Sequence, residues 1–149
     1  MSTATETTTQ VYQLFIKATP EQIWEAITNP DLTEKYFHGG RIELVDGRRR
    51  AIGPDGLLRG DAAVIEEDPP RRLVHGWRSV YDPELAEEEE SRVTWEIEPH
   101  EGGISKLTLV HDRLEGAPKT AEHVAGGWMF VLSGLKTVLE TGEPLAGSS

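Results

Sequence analysis

The sequence predicts one α+β domain in which an antiparallel sheet packs against a long C-terminal helix. Apolar and polar residues alternate with period two between residues 41 and 112, and turn residues separate the runs. From Ala117 to Thr141 the apolar period becomes 3.6, which is typical of an amphipathic helix. A chain of 149 residues can bury roughly 68–70% of its unfolded surface in one core. We therefore expect a single domain over residues 10–145, with flexible termini at 1–9 and 146–149.

A strand and two short helices are predicted before this sheet region. Residues 11–17 are rich in β-branched and aromatic side chains, which indicates the first strand. Thr19 then begins a capping box with Gln22, and a proline stands at the first helical position. We expect the helix to end at Asn29, because the following proline disfavours helical backbone before it. A second short helix is predicted over residues 30–36.

Six further strands are predicted between these helices and the C-terminal one. They cover residues 41–45, 48–52, 58–66, 73–81, 92–98 and 105–113. The segments between them contain glycine, proline and aspartate, which supply unusual backbone angles or end a ladder of hydrogen bonds. The run of four glutamates from Glu87 to Glu90 is interpreted as a solvated loop.

Composition excludes several classes of function. The formal net charge is −11, so we expect neither nucleic-acid binding nor membrane insertion, and the only local basic cluster is Arg48 to Arg50. The chain has no Cys, which excludes thiolate catalysis and Cys-based metal sites and agrees with a cytoplasmic location. It has no phosphate loop, esterase motif or closely spaced His pair, so we predict no cofactor and no metal.

Strand alternation predicts which side chains face the long helix. His75 and His111 share their strand faces with aliphatic and indole side chains. The helix interior contains Gly126, Gly127 and Gly134, which either let the helix pack closely on the sheet or leave room for a ligand. The predicted ligand cavity is lined by Leu73, His75, Trp77, Val93, Trp95, Ile97, Leu107, Leu109, His111, Val124, Gly127, Trp128, Val131 and Leu135.

Two interpretations of the histidines remain open. A buried His is commonly a core residue whose ring nitrogens are bonded to protein groups. A pair of histidines in an apolar pocket is also typical of a small-molecule site, and His75 and His111 are the candidate catalytic residues. The tryptophans are interpreted as packing residues first and as ligand contacts second.

Several segments, taken in order, resemble one family. They are residues 19–24 with 28–30, then 68–77, 106–111 and 126–139. Together they resemble the START-like (SRPBCC) superfamily, in the bacterial branch similar to the C-terminal domain of the activator of the ninety-kilodalton heat-shock protein ATPase. The resemblance covers about residues 11–145. It implies a helix-grip (START/Bet v-like) fold, with a seven-stranded antiparallel sheet wrapped around the C-terminal helix and an apolar cavity between them.

The resemblance leaves three functions open, because the superfamily includes lipid and hormone carriers, polyketide cyclases and chaperone co-factors. The first is a non-enzymatic protein that holds a small apolar or amphipathic, lipid- or polyketide-like molecule under the helix. The second is a cyclase or hydrolase that uses His75 or His111 as general acid or base.

The third function is a co-chaperone-like interaction module or a homodimer. It would use the acidic residues 82–90 or the neighbourhood of Trp24, Tyr36 and Phe37. The eukaryotic activator engages its chaperone through a separate N-terminal domain that this sequence lacks, so a chaperone partner is not expected.

Overall fold

The structure is a computed structural model that describes residues 9–145. The predicted flexible termini, apart from Thr9, lie outside the described residues. The elements in chain order are β1 (Gln10–Ile16), α1 (Pro20–Thr28), α2 (Pro30–Thr33), β2 (Arg41–Val45), β3 (Arg48–Ile52), β4 (Leu58–Asp68), β5 (Arg72–Trp77), α3 (Pro83–Ala86), β6 (Ser91–His100), β7 (Ile104–Asp112) and α4 (Pro118–Thr141). None of the helices in this range is long and apolar enough to cross a membrane.

The seven strands form one antiparallel sheet in the order β1-β7-β6-β5-β4-β3-β2. Neighbouring strands follow one another along the chain, except that β1 lies beside β7 at one edge. Helix α4 buries a stripe of side chains in the main core, among them Val124, Trp128, Val131, Leu135 and Val138. The predicted α+β class, with a seven-stranded antiparallel sheet and a long C-terminal helix, is confirmed.

The two helices after β1 begin as the sequence indicates. Thr19 Oγ1 accepts a hydrogen bond from the Gln22 amide at 3.2 Å, and Gln22 Oε1 accepts one from the Thr19 amide at 2.8 Å. Helix α2 ends at Thr33, earlier than the predicted residue 36. The buried Thr33 hydroxyl accepts from the Ile42 amide at 2.9 Å and lies 3.1 Å from the Gly40 carbonyl oxygen. These contacts tie the helix end to β2, so the chain turns there.

The segment after β5 differs from the prediction. The strand predicted over residues 73–81 ends at Trp77, and beyond it Ser79 joins Gly60 only through an isolated bridge. The short helix α3 was not predicted, and Asp82 caps it by accepting from the Glu84 amide at 2.9 Å. Because the Asp82 carboxylate caps α3, the chain forms a short helical turn here and β5 does not continue.

The glutamate run after α3 is irregular, as predicted, but it also has a structural contact. The Glu88 carboxylate accepts hydrogen bonds from the amides of Lys119 and Thr120, each at 2.8 Å. The N-cap of α4, Ala117, makes no side-chain hydrogen bond, so Glu88 bonds the free amides at this positive helix end. The run is a loop, as predicted, and in addition its Glu88 side chain bonds the start of a helix that is distant in the sequence.

Candidate functional site

A cavity of about 360 Å³ lies between strands β2 to β5 and the first half of α4. Its apolar wall includes Phe37, Trp77, Trp128 and Val131. The inner faces of β3 and β4 contribute small residues, namely Ala51, Gly60 and Ala62. The volume lies in the range typical of small-molecule sites. The cavity is open because these small side chains do not reach α4.

The structure divides the residues predicted to line a cavity into two groups. Those that line this cavity are Trp77, Val124, Gly127, Trp128 and Val131. The others lie buried away from it, and they are Leu73, His75, Val93, Trp95, Ile97, Leu107, Leu109, His111 and Leu135. The large side chains of β5, β6 and β7 pack beneath α4, and none of these nine residues lines the cavity.

The glycines of α4 differ in their surroundings. A Cβ atom on Gly134 would lie 3.1 Å from Tyr36 Cβ, so this glycine lets α4 approach the segment after α2. A Cβ on Gly126 or Gly127 would meet no heavy atom within 4 Å, and Gly127 lines the cavity. Close packing therefore explains Gly134, whereas Gly127 lies beside open space.

His75 is completely buried between β4 and β6 and both of its ring nitrogens are bonded. Nε2 accepts from Trp95 Nε1 at 3.0 Å, so the proton lies on Nδ1, which donates to the Gly76 carbonyl at 2.7 Å. Burial, followed by the positive charge of Arg49, holds the pKa of His75 well below its usual value. The ring is neutral at pH 7.

His111 is bonded in the same complete way. Its Nδ1 accepts from Trp128 Nε1 at 3.0 Å, so Nε2 carries the proton and donates to Ser91 Oγ at 2.7 Å. The Ser91 hydroxyl in turn lies 3.4 Å from the Trp77 carbonyl oxygen. Burial lowers the pKa of His111 to about 4.

The histidine geometry bears directly on the predicted catalytic role. Neither His75 nor His111 lines the cavity, and neither has a ring nitrogen free to exchange a proton with a bound molecule. General acid–base catalysis requires hydrogen-bond reach to the substrate. The observed arrangement is that of core histidines. Residues 9–145 contain no group of three or more His, Cys, Asp or Glu side chains placed to hold a metal ion.

Arg49 is the charged residue that the sequence reasoning did not select. Neighbouring Arg48 and Arg50 reach Asp61 at 2.9 and 3.9 Å, whereas alternation along β3 turns Arg49 to the inner face, where it lines the cavity. Its side chain is only 7% exposed. The signal was present, because residue 49 shares its strand face with Ala51, but Arg49 was considered only as part of a basic cluster.

The surroundings of Arg49 are aromatic. Its guanidinium carbon lies 5.4 Å from the Phe37 ring centroid and 5.3 Å from that of Trp77. Within residues 9–145, no carboxylate forms an ion pair with Arg49 and its guanidinium makes no hydrogen bond. Burial lowers the pKa of Arg49 to about 10, so the group remains protonated at neutral pH. The cavity thus contains a buried cation.

A second polar group at the cavity also lacks a partner. The Nε1 atom of Trp77 is buried and makes no hydrogen bond to any residue of the described chain. Buried indole N–H groups usually have an acceptor. Trp77 lines the same cavity as Arg49, although its Nε1 atom is itself buried and not exposed to the open space.

The exposed rim of the cavity carries further titratable residues. The Tyr81 hydroxyl hydrogen-bonds His123 Nε2, and both residues line the cavity. His38 stacks on Phe130 with 5.6 Å between ring centroids. Burial, and then the nearby His123, lowers the pKa of His38. The rim is therefore more polar than the interior wall.

The predicted interaction surface around Trp24, Tyr36 and Phe37 is largely packed. Tyr36 is buried, and its hydroxyl donates to the Ala26 carbonyl at 2.8 Å. Phe37 lies against Trp77 and Trp128, with ring centroids 6.3 and 5.9 Å away. Trp24 is partly buried against the core. These aromatics stabilise the segment that closes one side of the cavity.

Comparison with known proteins places this geometry in a family. The family described as "Activator of Hsp90 ATPase homolog 1-like protein" matches residues 17–140. No match was found among curated proteins.

Three solved structures are similar in fold. The protein MLL2253 from Mesorhizobium loti is 24% identical, with a TM-score of 0.71 over 89% of this chain and 96% of that one. The Aha1 dimer from Colwellia psychrerythraea is 20% identical, with a TM-score of 0.68 over 90% of this chain and 97% of that one. PFC0360w, an HSP90 activator from Plasmodium falciparum, is 18% identical, with a TM-score of 0.72 over 89% and 96%. These likenesses confirm the helix-grip architecture.

Proposed function

The chain belongs to the family of Activator of Hsp90 ATPase homolog 1-like proteins, and from this premise we propose that it binds a small, largely apolar molecule between its sheet and α4. The START-like fold of the family is a ligand-binding architecture. The single observation that carries the proposal is the cavity of about 360 Å³ with an aromatic wall.

The composition of the cavity wall supports binding over a merely imperfect core. Apolar side chains form most of the interior, and a few polar groups converge on it, which is the usual form of a small-molecule site. The opening is also maintained by Gly127 in the middle of α4, where a glycine costs about 0.5–1 kcal/mol relative to Ala. No close packing contact explains that glycine.

The catalytic alternative has weaker support. A cyclase or hydrolase would need a histidine within reach of the bound molecule. His75 and His111 use their ring nitrogens for bonds to Gly76, Trp95, Ser91 and Trp128. A binding function needs no free ring nitrogen, and we therefore prefer it.

Self-association is a second candidate function, and it concerns a different surface. Met129 and Phe130, adjacent on α4, are 62% and 44% exposed. One relative is described as a dimer and another as an HSP90 activator. If this surface joins two copies, a double variant Met129→Ser with Phe130→Ser will convert a dimer to a monomer in light scattering. A wild-type monomer at high concentration would contradict this candidate.

The binding proposal is tested by filling the cavity from α4. We expect wild-type protein to bind N-phenyl-1-naphthylamine, an uncharged apolar probe whose fluorescence rises in apolar surroundings. Gly127→Leu should abolish that signal because the added side chain occupies the open space beside residue 127.

Gly126→Leu is the matched control, since Gly126 is also free of contacts at its Cβ but does not line the cavity. Both variants remove a helical glycine, so both should fold. Failure of wild-type protein to bind the probe, or equal binding by the two variants, would contradict the proposal.

A further inference from the structure

The cavity combines a buried, unpaired cation with an apolar wall. Within residues 9–145, the Arg49 guanidinium has no carboxylate partner and Trp77 Nε1 has no acceptor. The Arg49 guanidinium carbon lies 5.3 Å from the Trp77 ring centroid, so the cation packs against the aromatic wall of the cavity. A buried guanidinium calls for an acceptor that the described chain does not provide.

The other charged residues of the cavity are already engaged. Asp61 accepts from Arg48 at 3.0 Å on the opposite side of β3. Arg59 lies 3.5 Å from Asp55, and Arg78 donates to the Ala86 carbonyl oxygen at 3.0 Å. Among the charged residues that line the cavity, Arg49 is thus the one that is deeply buried and has no acceptor within residues 9–145.

The Arg49 guanidinium stays protonated at neutral pH, because its pKa is about 10. Loss of the proton therefore does not remove the buried charge. The faces of Phe37 and Trp77 attract the cation, but aromatic faces replace only part of the lost hydration. A buried guanidinium is normally paired, and its planar fork matches a carboxylate. An anionic group in the cavity would supply the missing partner.

We propose that the cavity binds an amphipathic carboxylate, with the carboxylate on Arg49 and the apolar or aromatic body against Trp77, Trp128 and Phe37. This inference rests on the proposed binding function and names its ligand class. Arg59 and Arg78 also line the cavity, so its charge is opposite in sign to the −11 of the whole chain.

The test compares probes that share one body and differ in charge. Naphthalene-2-carboxylate, the uncharged naphthalene-2-carboxamide and the cationic naphthalen-2-ylmethylamine are each titrated to displace N-phenyl-1-naphthylamine. The proteins are wild type, Arg49→Met, Arg49→Lys and the control Arg50→Met, which alters the adjacent arginine on the opposite face of β3.

We expect wild type and Arg50→Met to bind the carboxylate about tenfold or more tightly than the carboxamide, as one charge-assisted hydrogen-bonded contact implies. The amine should bind most weakly. Arg49→Met should lose the preference for the carboxylate over the carboxamide. Arg49→Lys, which retains the charge without the fork, should keep part of the preference.

The failures of the two proposals are distinguishable. Equal binding of carboxylate and carboxamide to wild type, or a preference that survives in Arg49→Met, would overturn the ligand class while N-phenyl-1-naphthylamine binding keeps the binding function. If no probe binds wild type, the binding function fails and the ligand class fails with it. Should Arg49→Met not fold, the three-probe comparison on wild type still decides the head-group charge.

Discussion

Buried polar groups on the two sides of the space beneath α4 differ in whether they have hydrogen-bond partners. On the side of β5 to β7, His75 and His111 are fully buried, and each ring nitrogen is bonded to a protein group. On the side of β2 to β4, the Arg49 guanidinium has no acceptor among residues 9–145, and Trp77 Nε1, at the end of β5 beside it, has none either. The bonded groups serve the core, whereas the unpaired groups lie beside a cavity.

The difference follows from side-chain volume along the sheet. The inner faces of β5 to β7 carry Leu73, Trp95, Leu107 and Leu109, which fill the space beneath α4. The inner faces of β3 and β4 carry alanine and glycine, which leave room beside Arg49. A polar group is therefore informative about function only when its partners and the neighbouring space are both known.

The largest effect on stability is expected from removing the hydrogen bonds of a buried histidine on the side of β5 to β7. His75→Leu leaves the Trp95 indole N–H and the Gly76 carbonyl without their partner in the core. Each unsatisfied buried group costs about 1–3 kcal/mol, so we expect the free energy of unfolding to fall by roughly 2–4 kcal/mol in urea titrations. The control His100→Leu removes an exposed ring and should change it by less than about 0.5 kcal/mol. A loss below about 1 kcal/mol in His75→Leu would contradict the structural role.

The pH dependence of stability tests the buried histidines on the side of β5 to β7 in the wild-type protein. His111 has a folded-state pKa of about 4, below its unfolded value near 6.5, so the unfolded chain binds more protons between these values. The stability that His111 contributes is complete above pH 6.5 and is lost as the pH falls toward 4. The loss amounts to about 2 kcal/mol at pH 5. His75, whose pKa is also lowered, acts in the same direction.

The measurement is urea unfolding at pH 7 and pH 5 for wild type and His111→Gln. The variant is less stable at pH 7 but should lose less stability on acidification, because one of the titrating groups is gone. An equal loss in both proteins would show that His111 does not carry this pH dependence.

Two glycines of α4 differ in how closely other side chains approach them, and substitution by alanine tests this difference. Gly134→Ala brings a Cβ to 3.1 Å from Tyr36 Cβ, and we expect it to lower stability by about 1 kcal/mol. Gly126→Ala meets no atom within 4 Å and should raise stability by about 0.5–1 kcal/mol through helix propensity. Thermal and urea unfolding should therefore give shifts of opposite sign, and shifts of the same sign would remove the distinction.

The smallest effect on stability is expected at Arg49, although its effect on ligand preference is large. Arg49→Met removes a buried charge that has no acceptor in the described chain, so we expect unfolding free energy to stay equal or rise by up to about 1 kcal/mol. Arg50→Met, on the exposed face, is the reference. A clear loss of stability in Arg49→Met alone would mean that Arg49 supports the core, and the contrast between the two sides would fail.

Much of the fold was predictable because its signals are local. Alternation placed all seven strands, although β5 ends earlier than predicted, and the Thr19 capping box marked the start of α1. Helix α3 and the Glu88 contact to α4 were not predicted. Glu88 meets Thr120 only after the sheet has brought the two segments together, and no local pattern records such a contact.

The sequence by itself determined the order of elements, the buried faces of β5, β6 and β7 and the family resemblance, because periodicity and capping act within a few residues of the chain. Only the tertiary structure decided where the cavity lies, which histidines are fully bonded and that Arg49 is buried without an acceptor. Those properties depend on the volumes and polar atoms of side chains from different strands, which become neighbours only when the sheet folds over α4.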